Sequence, residues 1–287
     1  MIKEPDILSE PCPVADGSRN LTAAEISEYQ SRGVVLVRNS ISPEWVQHMS
    51  KVIDAQLAVP TQFGMSINRS GGPGKFLTDR YLWPTVPSFR DYAFRSGVGR
   101  QAGQAMQSTT ASLYFDQVFV KEPLTNEAFN WHQDRPYWPV GGDQICSVWT
   151  SFSTADAESS ALEFVIGTDR LARDYKPTMS ASVGIFASDD QDEMPDFSSQ
   201  REEREIVSFE VNPGDSIIFN ARIVHSSRGN SSPTVRRVAL STRWLGDDAI
   251  WRPRPGADPA VTQDMVAVAP GEKTAGDRER FPLVWHR

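Results

Sequence analysis

Polar and apolar positions change rhythm once along this chain. Up to about residue 107 the longer apolar stripes recur at helical spacing, and from about residue 110 short β-rich runs alternate with turn residues. Thr22-Ala23-Ala24-Glu25 has the Thr-x-x-Glu form of a capping box and predicts a short helix that stops at Gly33. Val34-Val35-Leu36-Val37 then reads as a buried strand. Ser42-Pro43-Glu44 supplies an N-cap, a first-turn proline and an acid that suits the helix dipole. Trp45, Val46, Met49, Val52, Ile53 and Leu57 follow at helical spacing, so this helix should pack against a sheet. Residues 61–88 are rich in Gly, Pro, Ser and aromatics, with Gly71-Gly72-Pro73-Gly74 the strongest breaker, and predict a long loop covering a site. A further helix is expected over 97–107.

Strands are predicted at 112–120, 144–153, 161–165, 205–211, 216–219, 222–227 and 236–244. Strands at this density indicate a mainly β fold with flanking helices, a sandwich or jelly roll. Asn212-Pro213-Gly214-Asp215 has the composition of a type II turn joining two of them. Between about 177 and 204 lies a polar, acid-rich insertion, including Asp189-Asp190-Gln191-Asp192-Glu193, which predicts a surface loop or lid. No internal repeat or low-complexity linker divides the chain. The expected organisation is a single domain over 1–287, with a helical portion at about 20–107, a β core at about 110–246 and a C-terminal extension at 247–287.

Composition narrows the class of partner. The 287 residues carry a net charge of −8, which argues against a broad nucleic-acid or anionic-membrane footprint. Only two cysteines occur, Cys12 and Cys146, so neither a disulfide framework nor a Cys-rich zinc site is legible. The start, MIKEPDILSEPCP, lacks the basic and apolar stretches of a signal peptide, and no segment is apolar enough to span a bilayer. A soluble, cytoplasmic protein acting on a small molecule is expected.

There are four histidines: His48, His132, His225 and His286. His132-Gln133-Asp134 places an imidazole and a carboxylate two residues apart, on one side of an extended chain. One more histidine from a distant strand, His225, would complete a two-His, one-carboxylate face that leaves open positions on Fe(II). After His225 comes a turn-rich stretch, Ser226 to Pro233, and then Arg236-Arg237-Val238-Ala239-Leu240. A hairpin centred between Asn230 and Ser231 sets residue 236 opposite residue 225 on one face. Arg236 could then hold a dicarboxylate by a bidentate pair of charge-assisted hydrogen bonds. A bulge in the turn would give that role to Arg237 instead. His48 reads as a helix-surface residue and His286 as peripheral.

Several segments, in order and spacing, resemble the phytanoyl-CoA dioxygenase family: Asp116 to Pro123, Trp131-His132-Gln133-Asp134, Ser147-Val148-Trp149, Phe164 to Thr168, and Pro213-Gly214-Asp215 through Arg236. The likeness runs from about residue 25 to 245. It implies a double-stranded β-helix (jelly roll, cupin-like), Fe(II), 2-oxoglutarate and dioxygen, and oxidation of an unactivated C–H bond. His132, Asp134 and His225 match the family's iron ligands, and Arg236 the arginine that holds the C5 carboxylate. Trp149 and Ser227 match positions lining the co-substrate pocket, although Trp149 could equally be core and Ser227 a turn residue. Gln117 and Tyr114 lie on a strand expected to approach the same pocket, and Lys121, Trp131, Tyr137 and Trp138 could meet substrate.

The resemblance implies a hydroxylase that converts 2-oxoglutarate to succinate and carbon dioxide, with Asp134 arguing against halogenation; desaturation, epoxidation and cyclisation use the same chemistry. No basic cluster suited to the phosphates of coenzyme A is evident, which favours a free small molecule, a secondary metabolite or amino-acid-like compound. The segments 71–74 and 179–204 are the expected selectivity elements. Two other classes compete: a β-barrel that binds metal or ligand without turnover, and a zinc hydrolase, for which no general base is evident beside the ligands.

Overall fold

The computed structural model describes residues 7–17, 19–171, 174–177 and 191–287. Four helices precede most of the β structure: α1 (Ala23–Arg32), α2 (Pro43–Ala58), α3 (Pro87–Arg95) and α4 (Val98–Met106). α1 starts as expected, with Thr22 Oγ1 accepting from the Glu25 amide and the Glu25 carboxylate accepting from the Thr22 amide. A cap of this kind stabilises a helix by about 1 kcal/mol. Gly33 closes it in the left-handed conformation, φ 74°. α2 opens on Ser42 and Pro43 and buries Trp45, Met49, Val52 and Ile53 on one face.

The strands are β1 (Val34–Val37), β2 (Met65–Ile67), β3 (Phe76–Arg80), β4 (Thr110–Lys121), β5 (Phe129–His132), β6 (Val140–Gly141), β7 (Ile145–Ser151), β8 (Leu162–Val165), β9 (Ile206–Ser208), β10 (Ser216–Asn220), β11 (Val224–Ser227), β12 (Arg237–Leu245), β13 (Ile250–Trp251) and β14 (Leu283–His286). A large antiparallel sheet runs β1-β10-β7-β12-β4-β3-β2, with β14 added beside β4. A smaller one runs β5-β11-β8-β9. Together they form the jelly roll.

Alternation along the strands builds two cores. Val118, Val120, Val148, Ile218 and Leu240 face the helices and pack with Trp45, Ile53, Tyr92 and Ala102. Their neighbours Trp149, Ile217, Phe219 and Ala239 face the smaller sheet, meeting Leu162 and Phe164. α4 lies close to the sheet because Gly99 and Gly103 leave room for Trp244 and Trp285; a Cβ on Gly103 would sit 2.3 Å from the Trp285 ring.

One expectation needs correction. Residues 61–88 are not one long loop: β2 and β3 pair as a hairpin that extends the large sheet, and Val86 leads into α3. Short strands rich in Thr, Ser and charge escape a reading based on apolar runs. His286 is ordered in β14, opposite Thr110. The C-terminal extension folds back on the core, with β13 beside β6 and Asp258 paired to Arg80. The acidic insertion lies partly outside the described residues; within them, 197–203 form turns ahead of β9.

Candidate active site

β5 and β11 are neighbours in the smaller sheet, and their register sets His132 directly opposite His225. The two rings lie 4.2 Å apart between centroids. Asp134 arrives differently from the extended-chain expectation. The strand ends at His132, the backbone turns helical at Asp134 (φ −72°, ψ −44°), and Gln133 turns away to donate to the Arg222 carbonyl. One donor atom from each of His132, Asp134 and His225 lies within 4.8 Å of the others. Asp134 Oδ1 is 3.9 Å from each Nε2.

The surroundings fix which atoms face inward. His132 Nδ1 is 2.7 Å from the Asn130 carbonyl and His225 Nδ1 is 3.1 Å from the Ile223 carbonyl, so Nδ1 carries the proton and Nε2 is left as a lone-pair donor. Ser147 Oγ donates to Asp134 Oδ2 at 2.7 Å, leaving Oδ1 toward the histidines. Burial, aided by the neighbouring His132, pushes the His225 pKa down to about 3, which keeps the ring neutral. Burial works against the Asp134 charge, but His225, Arg243, His132 and the Ser147 hydroxyl outweigh it and hold its pKa below the usual range. Two imidazoles with inward Nε2 atoms and one carboxylate on a shared face suit a divalent transition metal with open positions.

Beside these donors a cavity of about 50 Å³ is bordered by Trp149, Ser227, Arg237, Ser241 and Arg243. Arg237 is 1% exposed, its guanidinium carbon lies 5.6 Å from the centre of the Trp149 ring, and its Nε has no hydrogen-bond partner. Burial pushes its pKa down to about 9, since no carboxylate among the described residues sits beside it. Lys121 is its cross-strand neighbour and is also buried. Lys121 Nζ donates to Ser160 Oγ at 3.0 Å, to Ser227 Oγ at 2.9 Å and to the Arg228 carbonyl. Burial, then the adjacent Arg237 charge, hold its pKa well below the usual lysine value. A buried guanidinium without a carboxylate partner, Arg237 is the site's ready partner for an anion.

The hairpin expectation fails here. β11 pairs with β5 and β8, whereas β12 pairs with β4 and β7, so residues 225 and 236 never face each other. The intervening segment crosses between sheets, held by Asn230 Nδ2 donating to the carbonyls of Lys121, Glu122 and Val235. Arg236 precedes β12 and points outward, bonding Glu122 at 2.8 Å and Asp54 at 2.6 Å. Arg237 takes the inward position that was expected of Arg236.

A second cavity, about 110 Å³, adjoins the donors on another side and is bordered by Phe115, Gln117, Tyr137, Trp138, Arg243 and Asp258, among others. A third, about 140 Å³, leads past Met65, Gln117 and Phe129 under the β2–β3 hairpin. Gln117 thus reaches the site, donating to Thr78 Oγ1 at 3.1 Å. Tyr114 does not border these cavities. It is the extra residue of a bulge in β4 opposite Arg243 and Trp244, and its ring packs with Tyr81, Trp138 and Phe281. Trp131, adjacent to His132 in β5, points to the opposite face and packs on Phe197. His48 is in α2, 2.8 Å from Ser88 Oγ, away from the donors. Ser147, Arg243 and the Arg80–Asp258 pair were not singled out from the sequence. The signal for Arg243 was its even spacing from Arg237 along one strand, legible only once the register was known.

A jelly roll with two histidines and a carboxylate between its sheets is the architecture of a non-haem metal oxygenase. The family model for phytanoyl-CoA dioxygenase (PhyH) matches residues 29–238, and the chain belongs to that family. It is accordingly an Fe(II)- and 2-oxoglutarate-dependent oxygenase, using dioxygen. A probable phytanoyl-CoA dioxygenase of Caenorhabditis elegans is 23% identical over 248 residues, covering 79% of this chain and 76% of that protein. Among solved structures, the non-haem alpha-ketoglutarate-dependent carbocyclase SnoK of nogalamycin biosynthesis superposes with a TM-score of 0.72 at 19% identity, covering 95% of this chain and 100% of SnoK. EctD from S. alaskensis, with 2-oxoglutarate and 5-hydroxyectoine, gives 0.69 at 13% identity, covering 95% and 91%. Among the described residues no helix is long and apolar enough to cross a membrane.

Proposed function

We propose that His132, Asp134 and His225 hold Fe(II), that Arg237 receives the C5 carboxylate of 2-oxoglutarate, and that the enzyme hydroxylates an unactivated C–H bond of a small molecule. The observation that carries this reading is a buried Arg237 without a carboxylate partner, sharing one cavity with three convergent metal donors. Iron, 2-oxoglutarate and dioxygen together supply the oxidising power, with 2-oxoglutarate leaving as succinate and carbon dioxide. The chain's own part is positioning. The carbonyls of Asn130 and Ile223 fix the imidazole tautomers, and Ser147 turns the Asp134 carboxylate. Lys121 holds Ser227 against the anion end, and Trp149 walls it from water. Phe115, Phe129, Tyr137 and Trp138 offer an apolar surface beside the donors for the substrate's body.

Anaerobic titration of the purified protein with Fe(II) and 2-oxoglutarate tests the co-substrate reading. A weak visible charge-transfer band that vanishes in His132→Ala is the expected result. A folded, metal-binding protein without that band would mean a binding protein, not an oxygenase. Ring closure is a second reading of the reaction, favoured by the likeness to a carbocyclase. Product mass separates the two, because hydroxylation adds one oxygen atom and oxidative ring closure removes two hydrogens.

A further inference from the structure

Arg243 is the charge in this site that the co-substrate reading leaves unused. Alternation along β12 turns Arg237, Ala239, Ser241 and Arg243 to one face. Arg243 is 4% exposed and borders both the co-substrate cavity and the 110 Å³ cavity, which Arg237 does not reach. One terminal nitrogen donates to the Ser241 carbonyl at 2.9 Å and the other lies 3.4 Å from Gln117 Oε1, while Nε has no partner. No carboxylate among the described residues forms an ion pair with it. The nearby acids are committed elsewhere: Asp134 to Ser147 and the metal donors, and Asp116 to the amides of Leu82 and Trp83. Arg80, in the same cavity, shows the contrast, since Asp258 neutralises it through a two-point pair.

A buried guanidinium without a direct anionic partner is costly, even though Asp134 and Asp116 favour its charge at longer range, and this one lies among aromatic faces, with Phe115 and Phe119 at 4.8 and 5.4 Å. Tyr137 and Trp138 continue the aromatic wall. We propose that Arg243 is the recognition point for an anionic substrate, a small carboxylic acid with a flat apolar body. Its carboxylate pairs with Arg243 while the body lies along the aromatic wall beside the metal donors. This assignment rests on the oxygenase reading for its reaction, but the anion site can be measured separately.

The test uses matched probes: benzoate and phenylacetate against the neutral amides benzamide and phenylacetamide. Each is titrated by calorimetry and by its effect on the charge-transfer band of the anaerobic protein with Fe(II) and 2-oxoglutarate. Expected for the wild type is binding of the acids at least tenfold tighter than of the amides. Arg243→Gln should abolish that preference while keeping the band, and Arg243→Lys, which retains the charge if the glutamine variant does not fold, should bind the acids with intermediate affinity. Acids bound no tighter than amides in the wild type would overturn the proposal. So would loss of the band in Arg243→Gln or Arg243→Lys, because the guanidinium would then serve 2-oxoglutarate. A wild type that forms no band yet binds the acids through Arg243 supports the anion site and defeats the oxygenase reading alone.

Discussion

Arg236 and Arg237 are adjacent in sequence and opposite in circumstance. Arg236 sits at the surface between Asp54 and Glu122, whereas Arg237 is buried beside the metal donors without an acid of its own. Charge-assisted hydrogen bonds to a buried cation are worth about 1.5–3 kcal/mol, so Arg237→Ala should weaken 2-oxoglutarate binding about 10- to 100-fold. Arg236→Ala should leave that affinity nearly unchanged and cost at most about 1 kcal/mol of stability, as exposed ion pairs do. Anaerobic titration and thermal melts of both variants measure the difference. Ser147→Ala removes the hydroxyl that holds Asp134 Oδ2. Outer-sphere hydrogen bonds of this sort are worth about tenfold or more in metal affinity, so a competition titration with a metallochromic chelator should show a drop of that order.

At the scale of elements, β4 does three things with alternating residues. Its inward positions Gln117, Phe119 and Lys121 line or brace the site, its outward positions Val118 and Val120 meet the helices, and Asp116 ties the strand to the turn after β3. Burial pushes the Asp116 pKa from 3.8 up to about 6, although the Leu82 and Trp83 amides pull the other way. The unfolded carboxyl loses its proton first as pH rises. Folding therefore takes up a proton between about 4 and about 6, and stability falls as pH rises through that window. Asp116→Asn should remove this slope. Melting temperatures across pH 4–7 should show the wild type losing ground to the variant by an amount equivalent to at most about 3 kcal/mol.

Across the whole molecule, the site exists only where the two sheets meet. The metal donors come from the smaller sheet and the turn after β5, and both buried arginines from the larger. An ion that binds these donors in the folded state alone must stabilise the complete fold. Saturation with Co(II) or Ni(II) at about 100 times the dissociation constant should add about 2.7 kcal/mol, or a few degrees in melting temperature. His225→Ala should abolish the increase. An unchanged shift in that variant would place the ion elsewhere.

Helix caps, strand alternation and the His132–Asp134 pair were legible in the sequence because each depends on residue type at short spacing, whereas His225 was matched through the family resemblance. Thr22 and Glu25 make their own cap, and an apolar residue at every second position of a strand faces a core whatever its partner strand is. What joins His225 to His132, and what turns Arg237 rather than Arg236 inward, is not local. It depends on β11 and β12 belonging to different sheets. The same holds for Arg243, which borders the donors' cavities without a direct carboxylate pair, a property of the packed interior. The sequence by itself determined the main helices and core strands and the chemistry on offer. Only the tertiary structure decided which charges share a cavity, because strand pairing across long separations sets register, and register sets the face on which each side chain is buried.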